Sequence, residues 1–306
     1  MARIAVVGVG AVGQVYAHHL KRAGDELVFY LKPKYVQAAE AGYVLHPVNG
    51  DQTPVQLTAS KIVSSPEELA EAAPDEVWLC MSSTALKGDW LEPLLRASGQ
   101  ARVVTLQPGL EDRAHLLEFV PEERLVTGLI GFMSWQAPLP GEQVTPGVRF
   151  WHPWTMTSVF SGSGAEDIVR RLKAGGCPCK AGDARVEMAL GSALLQPIVG
   201  HLECVDWTFS RLSERSARVA ACQQQVMAVA AGFLGVPTKM TPPGFVITLA
   251  GSLVPAVVPV DIQAFFRWHF TKVGDQTRAM LVTWIEQGKA RGLPVDEIEA
   301  LKADLG

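Results

Sequence analysis

The chain has 306 residues, 48% of them hydrophobic and 19% charged, with a formal net charge of −4. This is globular composition, with enough apolar material for one large core or two ordinary ones. The weakly acidic balance gives no basic field for nucleic acid or for an anionic membrane surface, so neither is expected as a partner. The opening MARIAVVGVG lacks the features of a signal peptide, and the apolar stretch 245–260 is too short and too broken by Gly251, Pro255 and Pro259 to span a bilayer. Cysteines stand at 80, 177, 179, 204 and 222, an odd set without a framework, which predicts reduced thiols and a cytoplasmic protein. Cys177 and Cys179 make a single C-x-C with no second pair nearby, so no metal site is expected.

In chain order, RIAVV (3–7) reads as a buried strand, and the pattern from Gln14 to Ala23 as a helix stopped by Gly24. ELVFYL (26–31) is the next strand. Residues 43–58 read as a hairpin with Asn49-Gly50 as its turn. A helix is predicted from Pro66 to Ala73, a strand from Glu76 to Met81, and a helix from Trp90 to Ala97. A strand over 102–106, a helix over 113–119 and a strand over 125–130 follow. Such alternation predicts an α/β fold, a Rossmann-type doubly wound parallel sheet with helices on both faces. Beyond about residue 180 the periodicity becomes helical, over 184–235 and 262–292. The expected division is therefore a Rossmann-type domain, 1–180, and a mainly helical domain, 181–306. Apolar faces on the helical part allow a homodimer.

Between the first strand and the first helix stands Gly8-Val9-Gly10-Ala11-Val12-Gly13. A G-x-G-x-x-G pattern means little alone, but here it leaves a strand and opens a helix. Gly8 serves the tight turn, Gly10 lets a pyrophosphate approach the backbone, and Gly13 lets helix and strand pack closely. The free N–H groups of Ala11, Val12 and Gly13 would then meet the anion at the positive end of the helix. An acidic residue after the second strand would bind a ribose 2′-hydroxyl. This chain has Lys32 and Lys34 there and no acid, which favours a 2′-phosphate and hence NADP(H).

The stretch RIAVVGVGAVGQVYAHHLKRAG, the basic Lys32, and VVTLQPGLEDRAHLLEFVPEERLVTGLIGF resemble the ketopantoate reductase (2-dehydropantoate 2-reductase) family. MALGSALLQPI and TRAMLVTWIEQGKARGLPV are similar to the first and last long helices of its second domain. The resemblance implies a Rossmann domain followed by a helical one. It also implies NADPH-dependent reduction of a 2-keto acid in a cleft between them. The family's site residues fall on different types here. Its turn asparagine falls on Pro108 and the lysine after the fourth strand on Ser82. Its catalytic lysine falls on Met188, its two asparagines on Ser192 and Gln196, and its glutamate on Gln276. Methionine has no proton to give, so the expected substrate is a keto acid, ketone or imine other than ketopantoate. A ketopantoate reductase with rearranged catalytic groups, and a non-catalytic NADP(H)-binding sensor, are the alternatives.

Hydride delivery to a carbonyl needs a proton donor beside the developing oxyanion. Helical spacing puts His269, Lys272 and Gln276 in one column, with Lys272 first among the candidates because a desolvated lysine shifts toward neutral pH. His201, on LLQPIVGHLECVDW, is the other candidate. Trp135, with Trp151 and Trp154, is a candidate wall for an apolar substrate pocket.

Overall fold

β1 (Arg3–Val7) is buried along nearly its whole length, as expected of a strand covered on both faces. The computed structural model describes residues 1–306, the side chain of Ala256 excepted. Contacts divide the chain into two units, one of residues 1–107 and 112–185, the other of 108–111 and 186–306.

In the first unit β1 leads through the glycine turn into α1 (Ala11–Arg22) and β2 (Glu26–Tyr30). α2 (Val36–Glu40), β3 (Tyr43–Pro47), β4 (Val55–Leu57), β5 (Lys61–Val63), α3 (Pro66–Ala72) and β6 (Glu76–Leu79) follow. Then come α4 (Leu91–Ala97), β7 (Arg102–Thr105), α5 (Asp112–Leu116), β8 (Leu125–Leu129), β9 (Met133–Ala137) and β10 (Gly147–Trp151). β11 (Ser158–Ser161), α6 (Ala165–Ala174) and β12 (Cys179–Ala181) complete the unit. The large sheet runs β12-β11-β8-β7-β6-β1-β2-β5. It is parallel apart from the β8–β11 pair. The order reverses between β1 and β6, which opens a crevice beyond their carboxyl ends.

Alternation along β1 decides which side chain meets which layer. Ile4 and Val6 join Val15, Tyr16 and Leu20 of α1 and Ile168 and Leu172 of α6 in one core. Ala5 and Val7 join Leu69, Leu91, Leu94 and Leu116 on the opposite face. Each such fully buried aliphatic side chain contributes about 1.5–3 kcal/mol. α3 starts as its sequence foretells: Ser65 accepts from Glu68 N at 3.2 Å, and Pro66 holds the first helical position.

A second sheet, β4-β3-β10-β9, packs Leu45, Leu57, Val148 and Phe150 into the core that holds α1. Sequence periodicity showed only its first hairpin, and not as it is built. β3 and β4 pair Tyr43 with Leu57, so residues 48–54 form the connection, not a two-residue Asn49-Gly50 turn. Asn49 instead holds the end of β10, donating from Nδ2 to the His152 carbonyl at 2.8 Å and accepting from His152 N at 3.2 Å.

Away from the crevice, Arg171 of α6 lies between Asp25, at 2.7 Å, and Glu76, with Arg102 also on Glu76 at 2.8 Å. Asp25 precedes β2 and Glu76 opens β6, so this buried cluster fastens the amino ends of the strands. Removing one member would leave an uncompensated buried charge.

The second unit is helical: α7 (Ala184–Cys204, begun in the first unit), α8 (Ser216–Leu234), α9 (Gly244–Val257), α10 (Ile262–Lys272), α11 (Gly274–Lys289) and α12 (Asp296–Leu305). Its core takes Leu190 and Ala193 of α7, Val226 and Ala230 of α8, Leu281 and Trp284 of α11, and Ile298 and Leu301 of α12. Pro197 interrupts α7, and Gln223 donates to the Leu194 carbonyl at 2.6 Å in the interrupted turn. Among the described residues, no single helix is long and apolar enough to cross a membrane.

Candidate functional site

The glycine turn lies at the carboxyl ends of β1 and β6. Gly8 has φ +84°, and a Cβ there would stand 2.9 Å from the Cys80 carbonyl oxygen. At Gly13 a Cβ would stand 2.5 Å from the Gly8 carbonyl oxygen and 3.2 Å from Cys80 Cβ. Both positions are closed to side chains by the protein itself. Gly10 differs. A Cβ there meets nothing within 4 Å, and φ is an ordinary −82°. The fold does not require glycine at this point, and the space beside it is what an approaching pyrophosphate needs. α1 starts at Gly10 with no side-chain cap and no acidic residue in its first turn. The N–H groups of Ala11, Val12 and Gly13 therefore face an end that favours an anion.

Lys32 and Lys34 are exposed just past β2, whose Tyr30 pairs with Val7 beside the turn. Lys34 Nζ lies 4.9 Å from the centroid of the Tyr35 ring. Both lysines thus follow the strand that neighbours β1 in the sheet order.

Sequence reasoning passed over the residue that shapes the other side of the crevice. Gln107, 2% exposed, follows β7. Its Nε2 donates to the carbonyls of Leu79 and Met81, each at 2.8 Å. Its Oε1 accepts from Thr105 Oγ1 at 2.6 Å and from Leu106 N at 3.1 Å. One amide thus ties the end of β7 to the end of β6, where Cys80 presses on Gly8. The signal was present in TLQPG, but a lone glutamine carries no pattern until its partners are known. Ser82 Oγ lies 3.0 Å from Thr84 Oγ1, and Ser83 Oγ donates to Asp112 at 2.6 Å. Burial pushes the Cys80 thiol well above its usual range, so it is no nucleophile here. Pro108 follows Gln107 and offers no N–H.

In the second unit, the expected column of His269, Lys272 and Gln276 does not form. α10 ends at Lys272 and α11 starts at Gly274, so Gln276 belongs to another helix. Lys272 is exposed, its Nζ 5.3 Å from the Trp268 ring centroid, and the desolvation expected of it is not found. His269 is stacked on Phe265 at 5.3 Å, and burial together with the Lys272 charge pushes its pKa down to about 4. His201 is fully buried and its Nδ1 accepts from Arg215 Nε at 3.0 Å. Burial, then the Arg215 and Arg218 charges, push its pKa down to about 3. A ring held neutral in this way is not populated as the imidazolium, the effective general acid, near neutral pH. In the first unit Trp135 is fully buried, its Nε1 3.1 Å from Glu142 Oε1 and its ring 5.7 Å from the Arg149 guanidinium. It is core of the small sheet, not a pocket wall. Trp154 is 94% exposed.

Three comparisons with known proteins bear on this arrangement. Residues 4–143 match the family described as Ketopantoate reductase PanE/ApbA. A 2-dehydropantoate 2-reductase of Nostoc sp. is 28% identical over 129 residues, 42% of this chain and 38% of the relative's length. Among solved structures, the 2-dehydropantoate 2-reductase of Geobacter metallireducens GS-15 is 21% identical and has a TM-score of 0.72, covering 99% of this chain and 98% of its own. The PanE/ApbA ketopantoate reductase of Ralstonia eutropha JMP134 is 23% identical with a TM-score of 0.72, covering 99% and 97%. D-mandelate dehydrogenase, solved with NADH and anilino(oxo)acetate, is 15% identical with a TM-score of 0.73, covering 99% and 96%. At these identities the likeness establishes the fold over the whole chain. The ketopantoate reductase family is one of nicotinamide-dependent oxidoreductases acting on keto acids.

The positions at which the ketopantoate reductase resemblance places reaction residues can then be located. Met188, Ser192 and Gln196 lie at four-residue intervals on α7, and so form one stripe of that helix. Met188 is buried at 8% exposure, Ser192 half-buried, and Gln196 Oε1 accepts from Thr277 Oγ1 at 3.5 Å. The stripe carries a thioether, a hydroxyl and an amide. None of them titrates near neutral pH.

Proposed function

We propose that the chain is an NADP(H)-dependent oxidoreductase of the ketopantoate reductase type. Its substrate is a keto acid, ketone or imine other than ketopantoate. The observation that carries the reading is Gly10: a glycine that the protein's own packing does not demand, at the start of an uncapped helix, beside two glycines that it does demand. The dinucleotide would supply the hydride. The N–H groups of Ala11, Val12 and Gly13 would hold its pyrophosphate, and Ser82 would lie at the neighbouring strand end. Lys32 and Lys34 would meet the 2′-phosphate by charge-assisted hydrogen bonds, which NADH cannot make.

A substrate other than ketopantoate is favoured by Met188, which stands where the family resemblance places a lysine and is itself buried. Ser192 and Gln196 retain hydrogen-bonding groups able to orient a carbonyl or carboxylate. With His201 and His269 held neutral, Lys272 remains the proposed proton donor or substrate anchor, with Gln276 beside it in sequence. A second reading, a protein that binds NADP(H) without turnover, is favoured by the same methionine and the same neutral histidines.

The test has two parts. Titration by nicotinamide fluorescence should show tight NADPH binding that falls about 10- to 100-fold on Lys32→Ala/Lys34→Ala, from the loss of one or two charge-assisted bonds. NADH binding should change by less than about twofold. Equal losses for both dinucleotides would remove the NADP(H) assignment. Oxidation of NADPH across a panel of 2-keto acids, aryl ketones and cyclic imines should then find a substrate. Binding without turnover across the panel would select the second reading.

A further inference from the structure

Ten large apolar residues stand exposed on the described chain, and six of them fall between 240 and 257: Met240, Phe245, Val246, Leu249, Leu253 and Val257. Phe245, Leu249, Leu253 and Val257 are spaced by four along α9 and are 72%, 56%, 51% and 74% exposed. They form one stripe of the helix. Ile247 and Gly251 lie on the other side and are buried, with Gly251 close under the Phe209 carbonyl. The sequence from Gly244 to Val257, GFVITLAGSLVPAV, contains no charge. An apolar stripe of this length, about 18 Å at 1.5 Å per residue, is more than a folded monomer ordinarily leaves to water.

We infer that this face of α9 is a two-fold contact with a second copy of the same chain, the two α9 helices running antiparallel. Three observations select this occupant. The stripe is symmetric about its own middle. An antiparallel copy sets Phe245 against the partner's Val257 and Leu249 against the partner's Leu253, apolar on apolar throughout. The charges that flank it are opposite: exposed Lys239 precedes the stripe and exposed Asp261 follows it. The same antiparallel arrangement brings each lysine toward the partner's aspartate. Finally, a helix that lies on a membrane carries Lys or Arg along its polar face, and α9 carries none.

Light scattering on the full chain should give a mass of twice 33.0 kDa at micromolar concentration. Leu253→Glu, at an exposed site, should keep the far-ultraviolet circular dichroism and raise the dissociation constant about 100-fold or more, because each copy then places a carboxylate in an apolar contact. Mixed Leu249→Cys and Leu253→Cys chains should cross-link under oxidised dithiothreitol faster than either alone, with the wild-type chain as the control for native thiols. A monomer at hundreds of micromolar, or a dimer indifferent to Leu253→Glu, would overturn the inference. So would flotation of the wild-type chain, but not the variant, with phosphatidylcholine–phosphatidylglycerol vesicles, which would give the face to a membrane.

Discussion

The turn at Gly8–Gly13 and the α7 stripe of Met188, Ser192 and Gln196 differ in what holds them. At the turn, main-chain atoms decide: Gly8 and Gly13 sit against the Cys80 and Gly8 carbonyls, and the groups offered to a ligand are backbone N–H. On α7 and α10, side chains decide. Such positions can exchange lysine for methionine with a local packing change, whereas a backbone cradle admits almost no exchange. The comparison teaches why a glycine turn held by main-chain atoms resists substitution while side-chain positions on a helix, such as Met188, exchange more freely.

The largest test of this contrast separates two glycines three residues apart, Gly10 and Gly13. Gly13→Ala should lower stability by several kcal/mol, roughly the scale of overpacking into backbone, and abolish dinucleotide binding with it. Gly10→Val should leave the melting temperature nearly unchanged and still weaken NADPH binding on the order of 100-fold, by occupying the pyrophosphate's place. Thermal melts with and without NADPH measure both. If Gly10→Val melts early like Gly13→Ala, Gly10 is structural and the ligand reading loses its main support.

Gln107 sharpens the comparison at the other wall of the crevice. Gln107→Leu would strand the Leu79 and Met81 carbonyls, at a cost of about 2–3 kcal/mol. Because those carbonyls flank Cys80, NADPH affinity should fall with stability. Denaturant melts paired with binding titrations check it. Unchanged affinity in a destabilised variant would confine Gln107 to holding the sheet.

The smallest expected effect concerns the histidines. His18 and His152 of the first unit are pushed down to about 4, mainly by burial, and His201 of the second to about 3. A histidine whose folded pKa lies below its unfolded value of about 6.5 binds its proton more readily when unfolded. Stability should thus be full above pH 6.5 and fall as the pH drops from there toward 4. For fully buried His201 the loss is roughly 2 kcal/mol at pH 5. His201→Gln should flatten that slope and leave kcat near neutral pH within about twofold. A large kcat loss with unchanged stability would return His201 to the reaction.

Much of the first unit was legible in the sequence. The continuous apolar runs of β1 and β6 and the glycine spacing state a parallel sheet and its turn directly, because each residue's requirement there is local. The second sheet was less legible. β9 and β10 carry Trp135 and Phe150 in a proline-rich stretch that reads equally as a pocket rim, and only the pairing of Arg149 with Trp135 positions shows a strand. The reaction candidates were least legible: a column through Lys272 and Gln276 assumes one unbroken helix, and Gly274 only hints at the break that the structure sets at Val273.

The sequence by itself determined the glycine turn between β1 and α1, the basic pair after β2 and the change from α/β to helical character. All three rest on contacts within a few residues, or on composition. Only the tertiary structure decided that Gly10 faces open space, that Gln107 joins two strands, that burial and then Arg215 hold His201 neutral, and that α9 leaves an apolar stripe uncovered on the single chain. Each of these depends on atoms brought together from distant parts of the chain, and burial and partnership are properties of that assembly, which no residue carries alone.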